Sequence, residues 1–222
     1  MKRTTIYLVR HGESEGNSKG VCLGHTNWDL TDFGRRQAEI CAGALADVEL
    51  DAVYASDLLR AFNTAVPHAR LRGLAVIPCR GLRELAFGEW EGVPLDTIKS
   101  ECHDEYFIGW KQRFYTYRAP GGESVRESVL RVGEALAEIA GEHRGGAVLA
   151  ASHAAVIRAF YADISGLNEE ETNATGFPSN ASYSVVEYDG ERFYPVSYSV
   201  DGFFAEPTGR DGMPDTSDLN NK

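Results

Sequence analysis

Apolar positions along the chain fall into short unbroken runs that alternate with longer stretches where they recur every three or four residues. Thr4–Val9 is a β-rich run closed by Arg10-His11-Gly12, which predicts a buried first strand. Thr31 suits the N-cap of a helix running to about Ala46, with Cys41, Ala44, Leu45 and Val48 on one face. Ser56 suits the same role for a second helix, whose Leu58, Ala61, Phe62 and Ala65 line one side until Pro67 disturbs it. Ala52–Ala55 and Ala75–Ile77 are short enough to be interior strands.

The strongest helical period lies between Glu123 and His143, where Val125, Val129, Val132, Leu136 and Ile139 recur at intervals of four and three. Ala147–Ala151 reads as another apolar strand, and Ala154 to about Ser165 as another helix ending before Gly166. Tyr183–Tyr188 and Arg192–Tyr198 flank Asp189-Gly190, a hairpin signal, and Pro195 pushes the second of these strands to a sheet edge. Alternating strands and helices imply a three-layer α/β/α sandwich, with a mostly parallel central sheet and one antiparallel edge strand. Ligands of such sheets bind beyond the carboxyl ends of the strands, where His11 and His153 both fall.

One domain over residues 1–205 accounts for the pattern, with an inserted cap at about 93–120 that carries Trp110, Lys111, Arg113, Tyr115, Tyr117 and Arg118. The stretch 206–222 is rich in Gly, Pro, Asp, Ser and Asn, and is expected to be a flexible tail. A net charge of −11 disfavours a nucleic-acid partner, because a phosphate backbone would meet a repelling field. It leaves room for a small anionic substrate held by a few focused arginines. Cys22, Cys41, Cys79 and Cys102 are widely spaced with no CxxC pair, as expected of reduced thiols in a cytoplasmic protein. The apolar run after Lys2 and Arg3 is too short for a signal peptide, no run approaches a membrane span, and the pattern specifies no oligomer.

The candidate chemistry begins where the first strand ends, at Arg10-His11-Gly12-Glu13-Ser14-Glu15-Gly16-Asn17. An imidazole that accepts a phosphoryl group must be neutral at the attacking nitrogen, held in one tautomer and surrounded by donors. Arg10 supplies a permanent cation, and Gly12 allows close backbone approach. Alone the tripeptide is weak, but three further segments accompany it. Ser56-Asp57-Leu58-Leu59-Arg60-Ala61 opens a helix after a strand. Leu82-Arg83-Glu84-Leu85-Ala86-Phe87-Gly88-Glu89-Trp90-Glu91-Gly92 follows another strand, and Ala151-Ser152-His153 ends a later one.

In this order the four segments resemble branch 1 of the histidine phosphatase superfamily, the phosphoglycerate mutase-like family, over about Ile6 to Val186. The resemblance implies a metal-independent phosphatase without a cofactor, acting on a small-molecule phosphate ester. It implies His11 as the nucleophile and Glu84 as the proton donor, with Arg10, Arg60 and His153 binding the phosphoryl oxygens. Asn17, Leu23 and Gly24 match further substrate-binding positions. Ala154 departs from a glycine that often follows the second histidine, and Asn180-Ala181-Ser182 matches a late motif only loosely, so it receives no catalytic role.

Glu89 and Glu91 rival Glu84 as the acid, whereas His25, His68, His103 and His143 read as surface or structural. A phosphate dianion beside Glu84 favours its protonated form, so activity is expected to favour mildly acidic pH. Three other functions compete. A phosphoglycerate mutase would carry a longer basic insertion, of which Trp110-Lys111-Gln112-Arg113 is only an echo. A noncatalytic phosphate binder would be expected to lack the nucleophile or the acid, and a metallohydrolase finds no compact ligand motif.

Overall fold

The computed structural model describes residues 2–102 and 115–204. Trp110, Lys111, Arg113, His103 and the 206–222 tail therefore lie outside the described residues. The strands are β1 (Thr4–Arg10), β2 (Ala52–Ala55), β3 (Val76–Pro78), β4 (Ala147–Ser152), β5 (Tyr183–Tyr188) and β6 (Phe193–Val200), in one sheet of order β3-β2-β4-β1-β5-β6. The first four are mutually parallel, while β5 pairs antiparallel with both β1 and β6. The strand opposed to its neighbours is thus one place in from the edge. Pro195 sits on β6, the outermost strand, where its missing N–H costs no ladder bond.

The central strands are apolar at successive positions because both faces of the sheet are covered. On one face Ile6, Leu8, Val148 and Ala150 pack with Val132 and Leu136 of α5 (Val125–Glu142) and with Val156 and Phe160 of α6 (Ala154–Ile164). On the other, Val9, Val53, Leu149 and Ala151 meet Cys41 of α2 (Asp32–Ala44) together with Ala65 and Ala69 of α3 (Leu59–Arg72). This is the expected α/β sandwich, and the four cysteines are free thiols. No described helix is long and apolar enough to cross a membrane.

Several local expectations need correction. Thr31 does cap α2, accepting from the Gly34 amide, but the buried face is Ala38, Cys41, Ala42 and Leu45, with Ala44 exposed. Ser56 is not a helix cap. α3 starts from Leu58 without a side-chain cap, and the Ser56 hydroxyl turns toward His153. Pro67 does not end α3, which continues to a C-cap at Gly73 with φ 65°. The proline removes one helical bond, and burial of Ala61, Ala65 and Ala69 against the sheet outweighs the loss. Short helices α1 (Glu15–Ser18), α4 (Leu95–Glu101) and α7 (Glu169–Ala174) escaped the pattern. The described start of the proposed cap is anchored by Leu95 N–H to Gly20 O at 2.9 Å and Cys22 N–H to Val93 O at 2.9 Å.

His68 is a core residue rather than a surface one. It is fully buried on α3, neither ring nitrogen has a partner among the described residues, and burial, aided by Arg72, pushes its pKa down to about 3. Its folded state therefore stays neutral while the unfolded state takes up a proton below its ordinary value. Stability is unaffected by this group at neutral pH and falls as the medium becomes acidic. Between about pH 7.5 and about pH 5.5 the loss from His68 alone should be about 1.4 kcal/mol. Denaturant melts of His68→Leu should show a pH dependence shallower by that amount, and parallel curves would refute it.

Candidate active site

Parallel pairing sets the two site histidines together. Arg10 of β1 lies opposite Ser152 of β4, so His11 and His153 leave the sheet side by side. Their ring centroids are 5.2 Å apart at an interplanar angle of 61°. His11 N–H donates to Ser152 O at 3.0 Å, continuing the strand pairing by one bond. His11 Nδ1 stands 2.7 Å from the Gly12 carbonyl, which can only accept, so Nδ1 carries the proton and Nε2 the lone pair. Burial first, then Arg60 and Arg10, hold the His11 pKa well below the usual imidazole range. The ring is a neutral base at Nε2.

Its loop is fixed on all sides. Gly12 N–H donates to Thr64 Oγ1 at 3.0 Å, and that hydroxyl donates to Arg60 O at 2.7 Å, tying the loop to α3. A Cβ on Gly12 would lie 2.4 Å from Gly34 O, and one on Gly34 only 1.9 Å from Glu13 O. Glycine at both places lets the first turn of α2 press directly on the histidine loop. On the opposite side, Asn180 Nδ2 and the Ala181 amide donate to His11 O at 3.1 and 3.2 Å.

His153 exchanges a hydrogen bond through Nε2 with Ser56 Oγ at 2.8 Å, while its Nδ1 is buried without a partner among the described residues. Burial, then Arg60 and His11, lower its pKa well below the ordinary value. Arg10 and Arg60 are both buried, the latter completely. Arg10 Nη1 donates to Pro178 O at 2.6 Å. Arg60 directs Nη1 to Thr26 O and Nη2 to Gly24 O, each at 2.7 Å, and its Nε has no partner among the described residues. Burial brings its pKa down to about 10, opposed by the nearby carboxylates of Glu84 and Glu91.

Gly24, at φ 48°, thus serves the site through its carbonyl, and Leu23 is buried beside it. Asn17 closes the capping box of α1, its Oδ1 accepting from the Ser14 amide and hydroxyl at 3.1 and 2.9 Å. That bonding turns its Nδ2 away from the box.

Glu84 is 4% exposed and docks on the start of α6. Oε1 accepts from the Leu85 and Val156 amides at 2.9 and 3.1 Å, and Oε2 from the Ala155 amide at 3.2 Å. α6 has no side-chain cap of its own, so this carboxylate takes the first-turn amides that would otherwise lack an acceptor. Of the rivals, Glu89 is exposed, while Glu91 Oε1 accepts from the Phe87 amide at 3.0 Å close against Gly24.

Residues 6–201 match the family described as the histidine phosphatase superfamily (branch 1). The chain belongs to that family. Phosphoserine phosphatase 1 of Hydrogenobacter thermophilus is 33% identical, over 84% of this chain and 88% of its own length. A 2,3-bisphosphoglycerate-dependent phosphoglycerate mutase of Allorhizobium ampelinum is also 33% identical, over 83% of this chain and 94% of its own. Among solved structures, a mycobacterial glucosyl-3-phosphoglycerate phosphatase complexed with VO3 superposes with a TM-score of 0.81 at 25% identity, covering 89% of this chain and 99% of that one.

In this branch 1 chain His11 and His153 pack ring against ring, with Arg10 and Arg60 near His11 and Glu84 near Arg60, and the pattern missed some of their supports. His25 donates through Nε2 to Glu84 O at 2.8 Å, so it lies against the candidate acid rather than on an indifferent surface. Its place directly after Leu23-Gly24 was the available signal. Asn180 came from a segment matched only loosely and acts on the His11 backbone. By sequence Ser56 reads as a helix cap and Thr64 carries no signal of its own, and nothing in their spacing announces the partners they find across the fold.

Proposed function

We propose that this chain hydrolyses a small-molecule phosphate monoester through a phosphohistidine on His11. The observation that supports it most is a buried, neutral imidazole with its lone pair on Nε2, beside two buried nitrogens without partners among the described residues, Arg60 Nε and His153 Nδ1. Buried donors in that state suit an anion, and Arg10 adds a second cation on the same side. Nε2 attacks phosphorus in line, the ester P–O bond breaks, and Glu84 gives its proton to the departing oxygen. Water then attacks the phosphohistidine, Glu84 takes the water's proton, and neutral His11 leaves. Fixed donors and cations around the transferring group supply most of the rate enhancement, because phosphoryl transfer asks little covalent chemistry of the protein. Asn17, Leu23 and Gly24 line the substrate side in this reading, and no metal takes part. Four free thiols suit a reducing cytoplasm.

Labelled phosphate ester mixed briefly with the enzyme and quenched in base should leave an acid-labile phosphoryl group on His11; its absence would count against the mechanism. The mutase alternative is separated with 3-phosphoglycerate, assayed with and without 2,3-bisphosphoglycerate. Free phosphate is the expected product in both cases, whereas bisphosphate-dependent formation of 2-phosphoglycerate would reassign the chain.

A further inference from the structure

Four consecutive carbonyls leading to the proposed proton donor are taken by side chains from other parts of the fold. Gly81 O and Arg83 O accept from Arg131 Nη1 at 2.8 and 2.9 Å, and Leu82 O accepts from Ser152 Oγ at 2.8 Å. Glu84 O accepts from Arg131 Nη2 at 3.1 Å and from His25 Nε2 at 2.8 Å. Arg131, on α5, also donates from Nη2 and Nε to Glu123, to Oε2 at 2.7 Å and Oε1 at 3.2 Å. Glu123 grips the chain on the far side of Glu84. Its Oε2 accepts from the Ala86 amide at 3.0 Å, and its own amide donates to Ala86 O at 2.9 Å.

One ion pair, with side chains 27% and 18% exposed, therefore brackets Glu84 from both directions. The bracketed segment has no strand or α-helix to hold it, only a 3-10 turn at Arg80–Leu82. Loop backbone usually bonds water and moves, yet a proton donor must be held within a fraction of an ångström of its target. Arginine suits the task because its planar fork reaches three carbonyls and a carboxylate at once, which a lysine ammonium cannot.

We propose that Arg131, with Glu123 as its countercharge, is a positioning residue for proton transfer, setting the reach of Glu84 toward the departing oxygen without touching substrate. The proposal rests on Glu84 being the proton donor. It requires Arg131 to matter most where the leaving group most needs a proton, which a merely structural arginine would not do.

The test compares kcat/KM, which reports phosphorylation of His11 alone, for an alkyl phosphate and for p-nitrophenyl phosphate, together with competitive inhibition by inorganic phosphate. Arg131→Gln should lower the alkyl value by about 30-fold and the aryl value by less than about 3-fold, with phosphate affinity within about twofold. Arg131→Lys should recover part of the alkyl loss. Equal losses on both esters, or weakened phosphate affinity accounting for the loss, would overturn the proposal. If circular dichroism shows Arg131→Gln unfolded, Glu123→Gln decides in its place. It leaves the three carbonyl contacts of Arg131 in place while removing the countercharge and one of the two carboxylate acceptors, so a selective loss of about 5-fold is expected and an unselective one overturns the proposal. Glu84→Gln runs alongside: if it too lacks selectivity, the assignment of Glu84 falls and the proposal with it. Selectivity in Glu84→Gln but not in Arg131→Gln overturns the clamp alone.

Discussion

Replacing His11 with alanine should reduce turnover of every phosphate ester by at least about 10,000-fold, because the imidazole that takes the phosphoryl group in the proposed mechanism is gone. His153 remains 5.2 Å away in an edge-to-face arrangement, but in that mechanism it holds phosphoryl oxygens and does not attack phosphorus. Arg10, Arg60 and His153 remain in the variant, so inorganic phosphate should still bind and protect it against thermal unfolding. Turnover near wild type would remove His11 from its role, while loss of phosphate protection would mean that the variant had lost its site, not just its nucleophile. The wild-type pH profile carries a related expectation. Burial, Arg60 and Arg10 keep the free enzyme's His11 neutral well below its ordinary titration range, so kcat/KM should not fall through His11 protonation as the medium turns mildly acidic. An acid limb at the ordinary histidine value that vanished with His11 would contradict this.

Glu84→Gln should lower kcat/KM for an alkyl phosphate by about 100- to 10,000-fold and for p-nitrophenyl phosphate by about tenfold or less. Glutamine retains an oxygen for the amides at the start of α6, so the fold keeps its cap while the transferable proton disappears. The contrast between esters is the diagnostic part, since an alkoxide is a poor leaving group and a nitrophenolate a good one. Equal losses would transfer the assignment to Glu91, the other carboxylate that Arg60 feels.

The sandwich was legible because its signals are local. A strand apolar at successive positions reports two covered faces, and the regular recurrence from Val125 to Ile139 reports one buried stripe, now found against the sheet. The candidate site residues were named for a different reason: they sit in recurring short segments, and the resemblance those segments carry, rather than periodicity, singled out Arg60 and Glu84. What stayed hidden depends on contacts between distant segments. Ser56 satisfies every sequence rule for a cap, yet its hydroxyl accepts only a long 3.3 Å bond from the Leu58 amide and meets His153 across the sheet at 2.8 Å. Pro67 looked like a terminator because propensity alone cannot weigh one lost bond against a buried face. Arg131 occupies an unremarkable polar position on an amphipathic helix, and the carbonyls that it collects lie in a loop whose shape no spacing encodes.

The pairing of β1 with β4 has a consequence for the birth of the molecule. His11 is synthesised well before the strand that brings His153 beside it and before the Asn180 turn that grips its carbonyl. On the emerging polypeptide that imidazole therefore waits without its neighbours, and the candidate site can assemble only after the second half of the fold has been made.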